Sequence, residues 1–282
     1  MMIKKAGLVA ILVSLWGTAW GQDVENGRQL AALAACESCH TEEGGAKNAG
    51  GYPIETKYGV FFGTNITPDP ETGIGNWTEA MFVQALKHGL SPEGRPYYPA
   101  FPFPSFSRFT DEDARDVFAY LATVEPVYKV NRSHALKRGV RNRGILRMWR
   151  LFSFRADTFA PREGESQSVS RGRYLVDVVG HCGECHTPRN SMGAMKTNRW
   201  LSGSDDGTGF APNITPHQTG ILNWSEEDIV GFLESGMKPD GDFSGGEMYR
   251  VVEECTSVLP EEERRAIAAW LKAVRPVQGK KD

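Results

Sequence analysis

The chain of 282 residues lacks an excess of positive charge and, beyond its N-terminal segment, any long apolar run. It carries 32 lysines and arginines against 35 acidic residues, which gives a net charge of −3 with neutral histidines. A nucleic-acid-binding protein usually shows a basic footprint, so this balance argues against that class of function. A membrane-spanning helix needs roughly 20 consecutive apolar residues. We therefore expect the mature chain to be soluble or peripheral.

The first 21 residues have the composition of a secretory signal peptide. Lys4 and Lys5 precede an apolar run from Ala6 to Trp16, and Ala19-Trp20-Gly21 provides a small-residue cleavage site. An uncleaved membrane anchor is the alternative, but the apolar run is short for a spanning helix. Without the two lysines the formal charge becomes 30 − 35, or −5. We predict export to the periplasm, with Gln22 as the new N-terminus.

Only five cysteines are present, and their spacing argues against a disulfide framework. Four of them lie in two Cys-x-x-Cys-His strings, namely Cys36, Cys39 and His40 in the first and Cys182, Cys185 and His186 in the second. Two cysteines one helical turn apart can bind the vinyl groups of one porphyrin, and the adjoining histidine can ligate its iron. A thioredoxin-like pair needs a βαβ setting, and a zinc site would have to combine two distant pairs. We predict two covalently bound haem c groups and interpret Cys255 as a buried bystander thiol.

The two strings occupy corresponding places in two similar halves of the chain. Asn65-Ile66-Thr67-Pro68 recurs as Asn213-Ile214-Thr215-Pro216, Trp77 recurs as Trp224, and Pro126-Val127 recurs as Pro276-Val277. A nearly constant offset of this kind indicates an internal repeat. We predict a signal peptide over 1–21, a first haem domain over 22–128, a basic linker over 129–168 and a second haem domain over 169–282. The Asn-x-Thr strings are interpreted as structural turns rather than glycosylation sites.

The predicted fold class is all-α, with two tandem cytochrome c-like haem domains and long loops that wrap the haem. In each half a first helix should end in the haem string. A middle helix should follow the tryptophan, with Thr78 or Ser225 as its N-cap. A last helix should begin near Thr110 in the first half and near Pro260 in the second, and its apolar residues at i, i+3, i+4 and i+7 predict one buried face. Gly27 and Gly172 should let the first helix cross the last at close range.

The sequence offers a methionine as axial ligand for the second haem but none at the matching position for the first. Thr187-Pro188 follows the second histidine, and we expect a backbone carbonyl there to accept the imidazole N–H. Methionine is the usual ligand opposite histidine. We predict Met248 for the second haem, in preference to Met192, Met195 and Met237. The first half has Phe101 or Phe109 at the matching position, depending on the alignment, and no methionine between residues 82 and 147. His88, His134 and Met148 are the alternatives that we consider for the first haem.

Several longer strings resemble a known family. They are Cys36-Glu37-Ser38-Cys39-His40, Asn65-Ile66-Thr67-Pro68-Asp69, Tyr98-Pro99-Ala100-Phe101-Pro102, His181 through Asn190, and Gly245-Gly246-Glu247-Met248. With them the mature chain resembles the bacterial multi-haem cytochrome c subunits of periplasmic alcohol, aldehyde and sugar-acid dehydrogenases, especially their two-haem relatives. The resemblance implies that Met248 is an axial ligand. Members of the family place a methionine where this chain has Phe101, or several residues later, where it has Phe109.

The linker is strongly basic. Ten lysines and arginines lie between Lys129 and Arg162, against Asp157 as the single acid. Ile145, Trp149 and Phe152 follow helical spacing, which predicts a short amphipathic helix. Three interpretations are open: a strap packed across both halves, a docking surface for an acidic partner, and attachment to an anionic membrane.

These observations predict a periplasmic dihaem c-type cytochrome that transfers electrons. Its donor would be a dehydrogenase or a small molecule, and its acceptor a cytochrome, a quinone site or an oxidase of the respiratory chain. The alternative is a haem enzyme, for example one that oxidises thiosulfate, with an open first haem as its reaction centre. The sequence favours an electron-transfer protein or an oxidoreductase subunit over a self-contained enzyme.

Overall fold

The computed structural model describes residues 22–205 and 209–279, and the predicted signal peptide lies outside them. The α-helices of this part of the chain are α1 (Val24–Leu33), α2 (Cys36–His40), α3 (Glu79–His88), α4 (Phe103–Phe106), α5 (Asp111–Leu121), α6 (Arg143–Ser153), α7 (Gln167–Tyr174), α8 (Gly183–His186), α9 (Glu226–Ser235), α10 (Gly246–Val251) and α11 (Glu261–Ala273). The strands are β1 (Pro53–Thr56), β2 (Gly59–Phe62), β3 (Ala135–Leu136), β4 (Ser204–Asp205) and β5 (Phe210–Ala211). The helices in this part of the chain therefore follow the predicted order in each half.

The first helix of each half crosses the last one at a glycine, as predicted. A Cβ atom on Gly27 would lie 2.0 Å from the carbonyl oxygen of Asp116 in α5. In the second half, a Cβ atom on Gly172 would lie 1.8 Å from the carbonyl oxygen of Ala266 in α11. Real Cβ atoms do not approach oxygen so closely, so only glycine allows either crossing. The contact recurs in both halves and brings the first and last helices together.

The predicted N-caps of the middle and last helices are confirmed. The side chain of Thr78 accepts a hydrogen bond from the N–H of Met81 at the start of α3. Ser225 and Asp228 form the reciprocal capping box at the start of α9. Thr110 caps α5 in the same way. These side chains satisfy backbone N–H groups that have no partner within the helix.

The first helix does not run into the haem string, contrary to the prediction. Ala35 has φ 53°, a left-handed conformation that ends α1 and begins the separate turn α2. In the second half α7 continues as a wider π-helical turn over Leu175–Val179. His181, with φ 37°, then changes the direction of the backbone before the string. One left-handed residue redirects the backbone, so each haem string leaves the axis of the helix before it.

The all-α prediction is wrong in the loops, because several of them contain short strands. β1 and β2 form an antiparallel hairpin in which Ile54 pairs with Phe61, and β3 from the linker adds to its edge. β4 and β5 form a second antiparallel pair. Val60, Phe61 and Phe62 favour extended structure because β-branched and aromatic side chains pack well on a pleated surface. The loops around the haem strings thus satisfy part of their backbone hydrogen bonding in small sheets.

Buried side chains of both halves join in one hydrophobic cluster. Leu30 and Val117 from the α1–α5 pair belong to it, as do Val178 and Leu271 from the second half. A hydrogen bond of 2.6 Å from the Tyr174 hydroxyl to Asp113 also crosses between the halves. The predicted division into residues 22–128, 129–168 and 169–282 stays a prediction.

The linker contains the predicted helix, α6. Leu146 is buried in α6, whereas Ile145 and Phe152 are exposed. The indole N–H of Trp149 donates to the carbonyl oxygen of Met192 at 3.0 Å, which ties α6 to the second half. Among the described residues, no helix is both long and apolar enough to cross a membrane.

Candidate haem centres

The histidine of each Cys-x-x-Cys-His string is oriented by a backbone carbonyl. The Nδ1 atom of His40 lies 2.5 Å from the carbonyl oxygen of Thr64, and that of His186 lies 2.8 Å from the carbonyl oxygen of Pro212. A carbonyl only accepts hydrogen bonds, so the proton is on Nδ1 and the lone pair is on Nε2. Burial lowers the pKa of both imidazoles, which favours this neutral form. Each string therefore presents one nitrogen suited to bind iron.

The acceptor carbonyl of the second string is not where the sequence led us to expect it. The carbonyl oxygen of Pro188 accepts the N–H of Lys196 at 2.8 Å, and the hydroxyl of Thr187 accepts the N–H of Leu201. The imidazole of His186 instead reaches Pro212, 26 residues later in the chain. Local sequence could not reveal this partner, because a long loop folds back to supply it.

The loop that follows each string is held by equivalent hydrogen bonds. The N–H of Gly50 donates to the carbonyl of His40 at 2.6 Å, and the N–H of Gly203 donates to that of His186 at 2.8 Å. The hydroxyl of Thr41 accepts the N–H of Asn48, which repeats the contact of Thr187 with Leu201. The same network fixes both histidine turns.

The Asn-x-Thr strings are structural turns, as predicted. The side-chain amide of Asn213 donates to Thr219 Oγ1 at 2.9 Å and to the carbonyl of Val277 at 2.8 Å. Its oxygen accepts both the N–H and the hydroxyl of Thr215. Asn65 makes the same set of bonds in the first half. Each asparagine directly follows the residue whose carbonyl orients a histidine, so these buried turns hold that carbonyl in place.

The donor set suits iron that is already held by a porphyrin. Within 22–205 and 209–279, no three His, Cys, Asp or Glu side chains converge as ligands of a bare metal ion. Burial raises the pKa of the Cys36 and Cys182 thiols to about 12, so both are neutral thiols in the protein without haem. A single free imidazole nitrogen beside a pair of cysteines fits covalently attached haem.

The two strings lie close to each other. Burial raises the pKa of the Cys39 thiol to about 11, and the nearby Cys255 and Cys185 add to this shift. Cys255 is buried, as predicted, and its Sγ lies 3.8 Å from the hydroxyl of Ser38 inside the first string. The residue before the second string, His181, lies with Nε2 at 3.4 Å from the carbonyl oxygen of Ala34. The thiol-bearing turns of both halves therefore share one region.

Met248 lies in the short helix α10. Its side chain is partly buried, whereas Met192 and Met237 are 53% and 50% exposed. Arg250 in the same helix stacks on the ring of Tyr52 at 4.7 Å and also donates a hydrogen bond to its hydroxyl. The helix that carries Met248 is thereby fixed against the first half. The assignment of Met248 as an iron ligand stays a prediction.

Sequence reasoning missed one buried acid near the second string. Asp177 accepts hydrogen bonds from the indole N–H groups of Trp200 at 3.0 Å and Trp270 at 3.2 Å. Burial raises the pKa of its carboxyl, although Arg108 and these hydrogen bonds oppose the shift. Trp200 in turn packs on Gly183 within the string. An acid in the apolar run Leu175–Val179 was the only sequence signal for this contact.

Comparison with known proteins agrees with this arrangement. Residues 24–125 match the family model described as Cytochrome c. The chain is 41% identical over 264 residues to a "Diheme cytochrome c-type" protein of Cereibacter sphaeroides, a match that covers 91% of this chain and 87% of that protein. It is 37% identical to the fructose dehydrogenase cytochrome subunit of Gluconobacter japonicus and to the cytochrome c subunit of a quinone alcohol dehydrogenase of Gluconobacter oxydans. Those matches cover 89% and 97% of this chain but only 52% and 60% of the two subunits.

Proposed function

We propose that this chain, which belongs to the family of dihaem c-type cytochromes, carries electrons in the bacterial periplasm from a dehydrogenase to an acceptor of the respiratory chain. The chain binds two covalently attached haem c groups. Haem supplies reversible one-electron chemistry, and the protein sets its potential through axial ligands and surroundings. The observation that carries the proposal is the pair of imidazoles, each held by a carbonyl so that Nε2 is available.

The roles of the individual residues follow from this arrangement. Cys36 and Cys39 would form the thioether bonds to one haem, and Cys182 and Cys185 those to the other. His40 and His186 would be the proximal ligands, with Met248 opposite His186. The carbonyls of Thr64 and Pro212 raise the basicity of the two imidazoles and fix their orientation.

The proximity of the two strings supports electron exchange within the chain. Cys39 and Cys185 are near enough for one thiol to influence the pKa of the other. The halves are also locked together by the Arg250–Tyr52 and Tyr174–Asp113 contacts. A rigid arrangement of this kind keeps the distance between two redox centres constant, so electrons can enter at one haem and leave from the other.

The proposed donor rests on the relatives. Two of them are named as cytochrome subunits of fructose and alcohol dehydrogenases. The chain spans only about half to three-fifths of those subunits, so a dehydrogenase donor is a proposal for this chain, as is the respiratory acceptor. The signal peptide over residues 1–21 and the predicted internal repeat are parts of the same proposal.

Haem counting on the exported protein tests this function. The chain is produced with its leader in a host that matures c-type cytochromes, and haem per chain is measured by pyridine haemochrome absorbance and intact mass. We expect two haems in the wild type, one in the Cys182→Ser/Cys185→Ser double variant, and two in the matched control Cys255→Ser. A single haem in the wild type, or haem that acid acetone extracts, would disprove the cofactor assignment. Failure of the intact protein to accept electrons from any periplasmic dehydrogenase would contradict the proposal that its electron donor is a dehydrogenase.

The linker helix supports a second part of the proposal, attachment to an anionic membrane surface. Ile145, Met148, Leu151 and Phe152 in α6 are 54%, 60%, 74% and 71% exposed and form one apolar stripe. Leu146 is buried against the protein, and the indole N–H of Trp149, at the border of the stripe, donates to the carbonyl oxygen of Met192. Arg147 in the same helix is exposed. A helix that pairs exposed apolar side chains with flanking arginines binds at the lipid headgroup level, where both groups are satisfied.

The packing of α6 also bears on the other two interpretations of the linker. The guanidinium of Arg143 stacks on Tyr98 at 4.6 Å, and that of Arg150 stacks on Phe154 at 4.7 Å and on Phe103 at 5.3 Å. The linker thus serves as a strap on its inner side. Its outer apolar stripe is not explained by that role, and an acidic protein partner would not by itself require four exposed apolar side chains.

Vesicle sedimentation tests the membrane surface. The holoprotein should sediment with vesicles that contain phosphatidylglycerol and much less with pure phosphatidylcholine vesicles. Phe152→Ser should weaken the binding several-fold, whereas the matched control Phe243→Ser, at a side chain 56% exposed elsewhere, should not. Equal retention of both variants would contradict the proposal. If the wild-type holoprotein does not bind vesicles and Arg147→Glu loses electron uptake, α6 is instead a docking surface for a protein partner.

A further inference from the structure

Two equivalent backbone hydrogen bonds align the two halves in the loop that follows the middle helix. In the second half the N–H of Ser244 donates to the carbonyl of Gly236 at 2.8 Å. In the first half the N–H of Tyr97 donates to the carbonyl of Gly89, also at 2.8 Å. Both residues of each pair differ from their counterparts by 147 positions. Tyr97 therefore corresponds to Ser244, and the fourth residue after it, Phe101, corresponds to Met248.

The other alignment of the sequence explains Phe109 as a core residue. Phe109 lies directly before Thr110, the N-cap of α5, as Leu259 lies directly before Pro260, the N-cap of α11. Their side chains are 1% and 5% exposed. The Phe109 ring packs against Tyr174 with centroids 6.1 Å apart. Phe109 thus fills the core before the last helix, and Phe101 alone occupies the place of the methionine.

The side chain of Phe101 sits among other aromatic rings. Its centroid lies 5.7 Å from that of Phe106 and 6.0 Å from that of Tyr97, both in edge-to-face geometry. Phe106 in turn contacts the ring of His181 at 5.3 Å. A phenyl ring has no lone pair to give to iron. The position that provides a thioether in the second half therefore provides only apolar surface in the first.

Of the alternative ligands of the first half, His134 is hydrogen-bonded elsewhere, and His88 and Met148 are exposed. The Nδ1 atom of His134 accepts the N–H of Phe62 at 3.1 Å, so the proton of this imidazole is on Nε2. Its Nε2 could bind iron only after losing that proton, in contrast to the arrangement at His40. His88 is exposed at the end of α3, and Met148 is 60% exposed on the outer stripe of α6.

We propose that the haem held by Cys36, Cys39 and His40 has no distal ligand from residues 22–205 and 209–279. Its iron instead binds a small external ligand at that position. The proposal rests on the function proposed above, because it takes those three residues as the haem attachment. Aromatic rings around Phe101 favour compact ligands such as nitric oxide or cyanide over bulky polar ones. Cyanide binds ferric iron through the lone pair on its carbon and changes no oxidation state. The cytochrome would then combine one electron-transfer haem with one ligand-binding haem.

Electron paramagnetic resonance (EPR) of the oxidised holoprotein tests the proposal directly. Two haems per chain must first be found by pyridine haemochrome; fewer would contradict the cofactor assignment and leave no basis for a spin-state measurement. With both haems present, we expect one high-spin and one low-spin ferric signal of equal weight. Cyanide should convert the high-spin signal at a stoichiometry of one per chain. Two low-spin signals and no cyanide binding in the wild type would overturn the proposal.

Two matched variants identify the position. Phe101→Met should return a thioether, convert the first haem to low spin, raise its potential and abolish cyanide binding. Phe109→Met introduces the same side chain at the core position and should leave one high-spin signal. If Phe109→Met and not Phe101→Met gives the low-spin signal, the 147-residue correspondence is wrong. If the wild type is already low-spin and His88→Ala or His134→Ala makes it high-spin, the chain supplies its own ligand and the open site does not exist.

Discussion

Gly172 lies against Ala266 so closely that a Cβ atom on the glycine would be 1.8 Å from the alanine's carbonyl oxygen. The same relationship joins Gly27 to Asp116 in the first half. Because the obstacle is backbone rather than a flexible side chain, the helices would have to separate to accept any larger residue. The two glycines therefore set the helix packing on which both haem strings depend.

Gly172→Ala should destabilise the protein. Forcing a methyl group into a packed helix crossing costs about 1–3 kcal/mol, which outweighs the gain in helix propensity. Gly231 in α9 is the matched control, since a Cβ atom there would meet no atom within 4 Å. Gly231→Ala should be neutral or stabilise by about 0.5–1 kcal/mol. Urea unfolding of the holoproteins measures both effects. Equal stability of the two variants would show that the crossing tolerates a side chain.

Glu165 and Arg173 should make the fold sensitive to acid. Their side chains are 6% and 5% exposed and form a bidentate pair with N···O distances of 2.7 and 2.8 Å. The hydrogen bonds from Arg173 lower the pKa of the Glu165 carboxyl from 4.5 to about 2. The lowered pKa favours the folded state above pH 4.5, and this contribution is lost as the pH falls from 4.5 through about 2.

Glu165→Gln tests this dependence. At pH 7 the variant should lose about 3–5 kcal/mol, because the buried Arg173 is left without its countercharge. The loss relative to the wild type should shrink as the pH is lowered towards 3. Glu163→Gln, at an exposed position two residues away, should follow the wild type at every pH. Urea midpoints at several pH values provide the measurement, and a constant difference between Glu165→Gln and the wild type would contradict the assignment.

The starts of the middle helices and of α5 could be predicted because their signals are local. Thr78, Thr110 and Ser225 cap the helices that the sequence assigned to them. The close crossings at Gly27 and Gly172 also followed from a pattern, since a glycine recurs at the same place in both halves. Short-range hydrogen bonding and periodicity explain these successes.

The remaining features depend on residues that are distant in the sequence. Pro212 is brought to His186 by a loop of 26 residues, and no local rule predicts which carbonyl such a loop presents. The short strands arise from pairing between distant segments, such as Gly59 in the first half with Leu136 in the linker. The spacing of Ile145, Trp149 and Phe152 predicted the helix α6 but not which side chains meet the protein; Leu146 is buried, whereas Ile145 and Phe152 are exposed.

Asn213→Ala should both destabilise the second half and loosen the orientation of His186. The 2%-exposed side chain of Asn213 satisfies the carbonyl of Val277 and the N–H and hydroxyl of Thr215. Leaving these groups without partners costs roughly 3 kcal/mol. Asn223→Ala, at an exposed position, is the control. Urea unfolding and the reduction potential of the second haem report the two effects, and an unchanged free energy of unfolding would contradict the structural role of the turn.

Met248→Ala should lower the reduction potential of the second haem and open its distal position. A thioether ligand favours ferrous iron, so its removal favours the ferric state. The charge-transfer band of methionine-ligated ferric haem in the near infrared should disappear. Met237→Ala is the matched control, because Met237 lies just after α9 and its side chain is 50% exposed; its band and potential should equal those of the wild type. If the band survives in Met248→Ala and vanishes in Met237→Ala, Met237 is the ligand. In that case the correspondence between Met248 and Phe101 no longer describes the distal positions of the two haems.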